Sequence, residues 1–237
     1  MRKKPLFSNS VAHLKDITPF GEGASRRCYV HPDNPALCIK VQKPEVLRTK
    51  SLPVRLMSPI YYRTENISDA TAYRQKAVRN GSVRLWEHIP RLHGWQKTDL
   101  GWGLVSDYYS TDGHPAPTLR ALLRAHGITR EINEAVKELA RFLLETHVIT
   151  RNIHPHNVVL AQDGRLKIVD DLGNRGMSLY GATRATARFR IRRNLYNLYQ
   201  QIAWETGGRN PLWDDWKRDN MGAWMPDFVC RFPDGRG

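Results

Sequence analysis

Residues 129–173 constrain this chain most. TREINEAVKELARFLLETHVI (129–149) sets Ile132, Val136, Leu139 and Leu143 at helical spacing on one face, with Thr129 placed to cap the first turn. That helix runs into a polar loop, TRNIHPHN (150–157). The loop runs into VVLAQDGRLKIVDD, two short apolar strands around the tight-turn pair Asp163-Gly164. Helix, polar loop and hairpin follow each other without a linker, so the loop's polar side chains must gather at the edge of a buried strand.

The first half reads differently. Residues 15–42 are strand-like, with a glycine turn at Gly21-Glu22-Gly23, the dense turn HPDNP (31–35) and the mostly apolar run ALCIKV (36–41) carrying Lys40. Strand, turn, strand, turn, strand without a crossover helix predicts an antiparallel meander. Residues 43–63 are basic and irregular, 65–80 are expected to be helical, and 89–109 give two further strands around TDLGWG. After that the period changes. TLRALLRAHG (118–127) predicts a short helix ended by Gly127, and a helix is expected over roughly 190–206. Trp213 and Trp216, three apart, are expected to pack a terminal helix.

A chain of 237 residues can build one large domain or two lobes. Its 37 Lys and Arg against 23 Asp and Glu leave a formal charge of +14, a field that attracts nucleic acid, anionic headgroups or phosphorylated substrates. Cys28, Cys38 and Cys230 form no paired or metal-ligating pattern, which suggests a reducing compartment. The basic N-terminus lacks the apolar run of a signal peptide, and no stretch approaches the roughly 20 apolar residues of a membrane span. The expected location is the cytoplasm, with peripheral contact at an anionic inner membrane surface.

The order of parts points to chemistry. A GxG turn, a strand lysine, a helix acid, two strands, two helices, a polar loop ending in Asn and a hairpin ending in acids together resemble a protein-kinase-like phosphotransferase. Glycines admit phosphates close to backbone N–H groups. Lys40 sits in the lysine slot, with Asp69 or Glu65 as its helix partner; both acids qualify, and it is the pattern of the family resembled, named below, that places Asp69 better relative to Tyr73. TRNIHPHN resembles the pattern HRDxKPxN. Thr150 stands for His, Arg151 is retained, Asn152 replaces the catalytic Asp, His154 replaces Lys, and Pro155 and Asn157 are retained. Asn157 with Asp170 or Asp171 offers hard oxygen ligands for Mg²⁺. The triplet Asp171-Leu172-Gly173 mimics DFG, whereas the strand-end pattern K-I-x-D favours Asp170.

DITPFGEGASRRCYVHPDNPALCIKV and IPRLHGWQKTDLGWGLV, with a loop that lacks the catalytic Asp, resemble the PhoP regulatory network protein family, the YrbL-like proteins. The resemblance covers roughly residues 14–205. It implies an α+β, two-lobed protein-kinase-like fold. The N-lobe, 1–108, would be a small antiparallel sheet with one helix. The C-lobe, 109–237, would be mostly helical, with the catalytic-type loop and a basic C-terminal region. It also implies ATP and Mg²⁺ as cofactors. A further likeness to heptose kinases suggests a lipopolysaccharide core sugar as acceptor.

Two departures matter. Arg26 stands where a third glycine is expected, which alters phosphate cradling. Asn152 accepts no proton, and a general base typically contributes about 10²–10⁴-fold to rate. Phosphoryl transfer rests largely on positioning and charge, so this loss slows the reaction and need not abolish it. His154 or His156 is an alternative base. Beyond the hairpin, Arg175, Arg184, Arg188, Arg190, Arg192 and Arg193 fall within twenty residues that hold no acid, where an anionic small-molecule or lipid-linked acceptor would dock. Three readings follow: a kinase for such an acceptor, a pseudokinase that binds nucleotide without turnover, and a basic nucleic-acid-binding protein.

Overall fold

The computed structural model describes residues 7–44, 65–81, 83–173 and 183–207. The architecture is α+β, with two separate hydrophobic cores that define two lobes. A six-stranded sheet in the order β1-β5-β6-β4-β3-β2 forms one lobe. Its strands are β1 (Phe7–Ala12), β2 (Gly21–Glu22), β3 (Arg26–His31), β4 (Asn34–Gln42), β5 (Leu92–Thr98) and β6 (Gly101–Asp107). Strand β4 is interior, with Lys40 opposite Cys28 on β3 and Leu104 on β6. Ile39 and Val41 point the other way and join Leu14, Tyr29 and Val105 in a small core.

The sheet departs from the expected meander at one edge. Strand β1 comes from the N-terminal segment and pairs in parallel with β5. A long-range clamp holds it there: the Asp99 carboxylate, in the β5–β6 turn, accepts from Leu14 N at 2.8 Å and from Lys15 N at 3.3 Å.

The helix expected over 65–80 is broken into α1 (Glu65–Ala72) and α2 (Lys76–Arg79). The residues between them serve other elements. Gln75 accepts from Ile149 N (2.8 Å) and donates to Ile149 O (3.1 Å), while the Tyr73 hydroxyl donates to Pro90 O at 2.7 Å.

The second lobe is built on α3 (Leu119–His126), α4 (Arg130–Thr146) and α5 (Arg184–Glu205). Thr118, Thr129 and Thr183 cap them, each accepting from a backbone N–H three residues on. Helix α5 begins six residues before the expected start because Thr183 and Thr186 form a reciprocal capping box. A single core joins Leu119, Leu139, Phe142, Leu143, Leu195 and Leu198, and it also takes in Ala72, Val78, Leu85 and Ile89 from earlier in the chain. Each of the fully buried leucines contributes about 1.5–3 kcal/mol by leaving water.

Strands β7 (Ser110–Thr111) and β8 (His114–Pro115) form a minor hairpin. Strands β9 (Val158–Leu160) and β10 (Leu166–Ile168) form the one expected around Gly164. No helix among the described residues is long and apolar enough to cross a membrane. Arg175, Trp213, Trp216, Cys230 and most of the basic stretch 43–63 lie outside the described residues.

Candidate functional site

Lys40 reaches the seam between the lobes. Its Nζ donates to Val169 O at 2.6 Å, just beyond β10. Lys40, Asp69 and Asp170 face one cavity, whose apolar wall includes Tyr73, Leu92, Leu104 and Leu172. The cavity measures about 10 Å³, room for a single water.

The expected pairing of Lys40 with a helix acid is replaced by a different one. Arg26 is 4% exposed, and its guanidinium spans three carboxylates. Nη1 lies 2.6 Å from Asp69 Oδ2, Nη2 lies 2.5 Å from Asp170 Oδ1, and Nε lies 3.2 Å from Glu65 Oε2. Nη1 also donates to Asn66 Oδ1 at 3.2 Å, and the Asn66 amide donates back to Lys40 O at 2.7 Å. Among the described residues no carboxylate comes within ion-pair distance of Lys40. Arginine wins because its planar fork satisfies several carboxylates at once, whereas an ammonium is a point charge.

The glycine turn is also different from the one expected. Gly21 and Glu22 are paired in β2, and the turn closes with Gly23 N donating to Arg26 O at 2.9 Å. A Cβ at Gly21 or at Gly23 would meet its nearest neighbour at 3.9 Å, an ordinary contact. Neither position demands glycine on local grounds.

The polar loop closes against α1 and the hairpin's end. Arg151 Nη2 donates to Asp69 Oδ1 at 2.9 Å, and Arg151 Nε is 3.1 Å from Asp171 Oδ1. Arg151 N donates to Asp171 O at 2.7 Å, and Thr150 bridges to Leu172. Asn157 Nδ2 donates to Asp171 Oδ2 at 2.7 Å. The two acids thus have separate roles: Asp170 faces Arg26, and Asp171 faces Asn157 and Arg151. Asn157, Asp170 and Asp171 form an all-oxygen donor set, which suits Mg²⁺. A dication there would compete with Arg26 for Asp170.

Asn152 and His154 are tied to each other. Asn152 Nδ2 lies 2.8 Å from His154 Nε2, and His154 Nδ1 lies 2.8 Å from Gln201 Oε1 on α5. A carbonyl oxygen only accepts, so His154 Nδ1 carries the proton and its Nε2 lone pair is engaged by Asn152. His154 is therefore not a free base in this arrangement. His156 stacks on it at 5.0 Å; burial, then the charge of Arg120, lower its pKa.

Charge sorts the groups. Burial opposes ionisation of Asp170, but Lys40 and Arg26 outweigh it and hold the carboxyl well below the usual range. At Asp69 burial dominates and raises the pKa despite Arg26 and Lys40. Burial and then the Asp170 charge raise Asp171. Burial works against the Lys40 ammonium, yet the charges of Asp170 and Asp69, with Cys28, together outweigh it and the pKa lies above its ordinary value. The result is a pair of fixed cations, Lys40 and Arg26, beside Asp170.

The described arginines of the basic segment are not alike. Arg184, Arg188, Arg192 and Arg193 are exposed on α5, whereas Ala187, Ile191, Leu195 and Leu198 are buried. Arg190 turns inward and donates to Arg151 O at 2.8 Å, which braces the loop. Sequence reasoning missed the roles of Arg26, Asn66 and Gln75. Strand alternation held a clue to the first: a pleat that sets Cys28 opposite Lys40 also puts Arg26 on the cleft face.

A search of solved structures finds a likeness to Rad53 residues 1–466 in complex with AMP-PNP. The identity is 15%, the TM-score is 0.48, and the match covers 84% of this chain and 48% of the other. Curated proteins named YrbL from Escherichia coli (strain K12) and Shigella flexneri are each 28% identical over 155 residues. That match covers 63% of this chain and 65% of each relative, just short of two thirds of their length. The family described as PhoP regulatory network protein YrbL matches residues 12–203, from the end of β1 to the last turns of α5. Spanning both lobes and every residue of the cleft, that match makes this chain a member of the PhoP regulatory network protein YrbL family.

Proposed function

We propose that the cleft between the lobes binds ATP with Mg²⁺ and that the protein transfers a phosphoryl group to a non-protein, anionic acceptor, soluble or lipid-linked. The observation that carries this reading is the convergence of Lys40 from β4, Asp69 from α1 and Asp170 from the end of the β9–β10 hairpin on one cavity. Lys40 supplies a fixed positive charge for phosphate oxygens once it exchanges its bond to Val169 O. Asn157, Asp170 and Asp171 supply oxygen ligands, and Mg²⁺ bound there neutralises charge on the transferring group. Arg151 holds Asp69 and Asp171 in register. The exposed arginines of α5 offer guanidinium forks to an acceptor already carrying phosphate, such as a lipopolysaccharide core sugar. The protein works in the cytoplasm, in peripheral contact with an anionic membrane surface.

A second reading is a pseudokinase that binds nucleotide without turnover. Two observations favour it: an amide at Asn152 bonded to His154, and Arg26 seated on Asp69 and Asp170. Both readings are tested by stabilisation against unfolding with ATP, with and without Mg²⁺, on the wild type and Lys40→Ala. Nucleotide at about 100 times its dissociation constant should add about 2.7 kcal/mol, lost in Lys40→Ala. No stabilisation of the wild type overturns both. Stabilisation with ADP release that rises on adding phosphorylated sugars supports the kinase; stabilisation without ADP release supports the pseudokinase. Salt-sensitive nucleic-acid binding that survives Lys40→Ala, with no nucleotide effect, supports a basic nucleic-acid-binding protein instead.

A further inference from the structure

A second cluster of ligating groups lies away from the cleft, under the β9–β10 hairpin. Glu87 ends a short 3-10 turn (Val83–Glu87), His88 follows it, and Glu138 stands on α4. One ligand atom from each lies within 4.8 Å of the others. His88 is 0% exposed. Its Nδ1 meets Leu166 O at 2.8 Å, and because a carbonyl only accepts, Nδ1 carries the ring proton and Nε2 keeps its lone pair. Nε2 has no hydrogen-bond partner and faces Glu138 Oε1 at 3.8 Å. Two acceptors opposed in this way repel unless a cation or a proton lies between them.

We propose that Glu87, His88 and Glu138 form a binding site for a divalent transition ion of the Zn²⁺ type. One imidazole with two carboxylates is a donor set that suits Zn²⁺. The site is also built behind the ligand: a metal-binding histidine characteristically donates its other N–H to a carbonyl or carboxylate, as His88 does to Leu166. Phe142 packs against the ring, 4.6 Å between centroids, and Ile168 N donates to the His88 backbone carbonyl at 2.8 Å, which anchors the main chain behind it. Both glutamates are about one-third exposed, so their carboxylates can turn to the roughly 2.0–2.2 Å that Zn–O bonds require. Arg165, on the hairpin, is the standing competitor: its Nε lies 3.7 Å from Glu87 Oε2 and 3.5 Å from Glu138 Oε1. Lys167 Nζ is engaged by Glu87 O and Asp163, each at 2.6 Å.

The test is titration of the full-length, chelator-treated protein with Zn²⁺, using calorimetry for stoichiometry and the Co²⁺ absorption spectrum for geometry. The wild type should bind one equivalent through this site. Glu87→Gln and Glu138→Gln change partly exposed side chains and should keep the fold, as circular dichroism will check. Each should weaken binding by more than about tenfold, the lower end of what even an outer-sphere partner is worth. Arg165→Gln should tighten binding by removing the competing guanidinium. The proposal is overturned if the wild type takes up no Zn²⁺, or if Glu138→Gln binds it as tightly as the wild type. Arg165→Gln without any gain in affinity also counts against it.

Discussion

Arg26 Nη2 and Asp170 Oδ1 are bonded at 2.5 Å although 144 residues separate them. The same guanidinium holds Asp69 and Glu65 of α1, so one side chain ties strand β3, helix α1 and the end of the hairpin together. Arg26 thus acts as counter-ion to the acids that a bound dication would otherwise neutralise.

Replacing Arg26 with Met keeps the stem and removes the charge. Asp69 and Asp170 then lose their shared cation, and breaking a buried pair in this way costs about 3–5 kcal/mol. Mg²⁺ should recover part of that loss in Arg26→Met and stabilise the wild type far less. Chemical denaturation with and without Mg²⁺ measures both, and an equal Mg²⁺ response in the two proteins would refute the competition.

Acid should loosen this junction. The folded pKa of Asp170 lies below its unfolded value, so its contribution is complete above the ordinary carboxylate range, near 3.9. It declines as pH falls below that value toward the depressed one. Asp69 and Asp171 are shifted upward and act in the opposite sense, gaining from protonation. In Arg26→Met the depression of Asp170 shrinks, so unfolding free energy measured from pH 5 down to pH 2 should fall less steeply than in the wild type.

Gly173 is a position where glycine is required. Its φ is +82°, and a Cβ would lie 2.5 Å from the Ala72 Cβ and 3.0 Å from the Ala72 Cα, which is backbone. Gly173→Ala combines left-handed strain with a clash against α1, and should cost about 1–3 kcal/mol from the backbone alone. Equilibrium denaturation checks it; a loss below a few tenths of a kcal/mol would contradict the packing described.

The arginines of α5 should divide into two classes. Arg188→Gln, Arg192→Gln and Arg193→Gln should leave unfolding unchanged and weaken binding to anionic vesicles by about 1 kcal/mol each. Arg190→Gln should do the reverse, because Arg190 braces Arg151 O from within. Vesicle sedimentation beside denaturation curves separates them, and four variants behaving alike would sink the distinction.

Much of the C-terminal lobe was legible from local rules. Ile132, Val136, Leu139 and Leu143 are buried on α4 as their period predicts, Thr129 caps that helix, and Gly164 turns the hairpin at φ +74°. Less was legible where distant groups decide local structure. The helix expected over 65–80 breaks because Gln75 serves Ile149, and β1 joins the sheet because Asp99 clamps the backbone after it.

What the sequence by itself determined is which elements form and which residue types reach the seam, since period, caps and turn pairs act over a few residues. Only the tertiary structure decided who pairs with whom. A row of letters favours Lys40 as the partner of Asp69 and shows Arg26 only where a glycine is expected. The carboxylates go to Arg26 because, once the lobes close, its fork reaches three of them at once while Lys40 is held by the Val169 carbonyl. Coulomb energy depends on separation and burial in space, and neither is written along the chain.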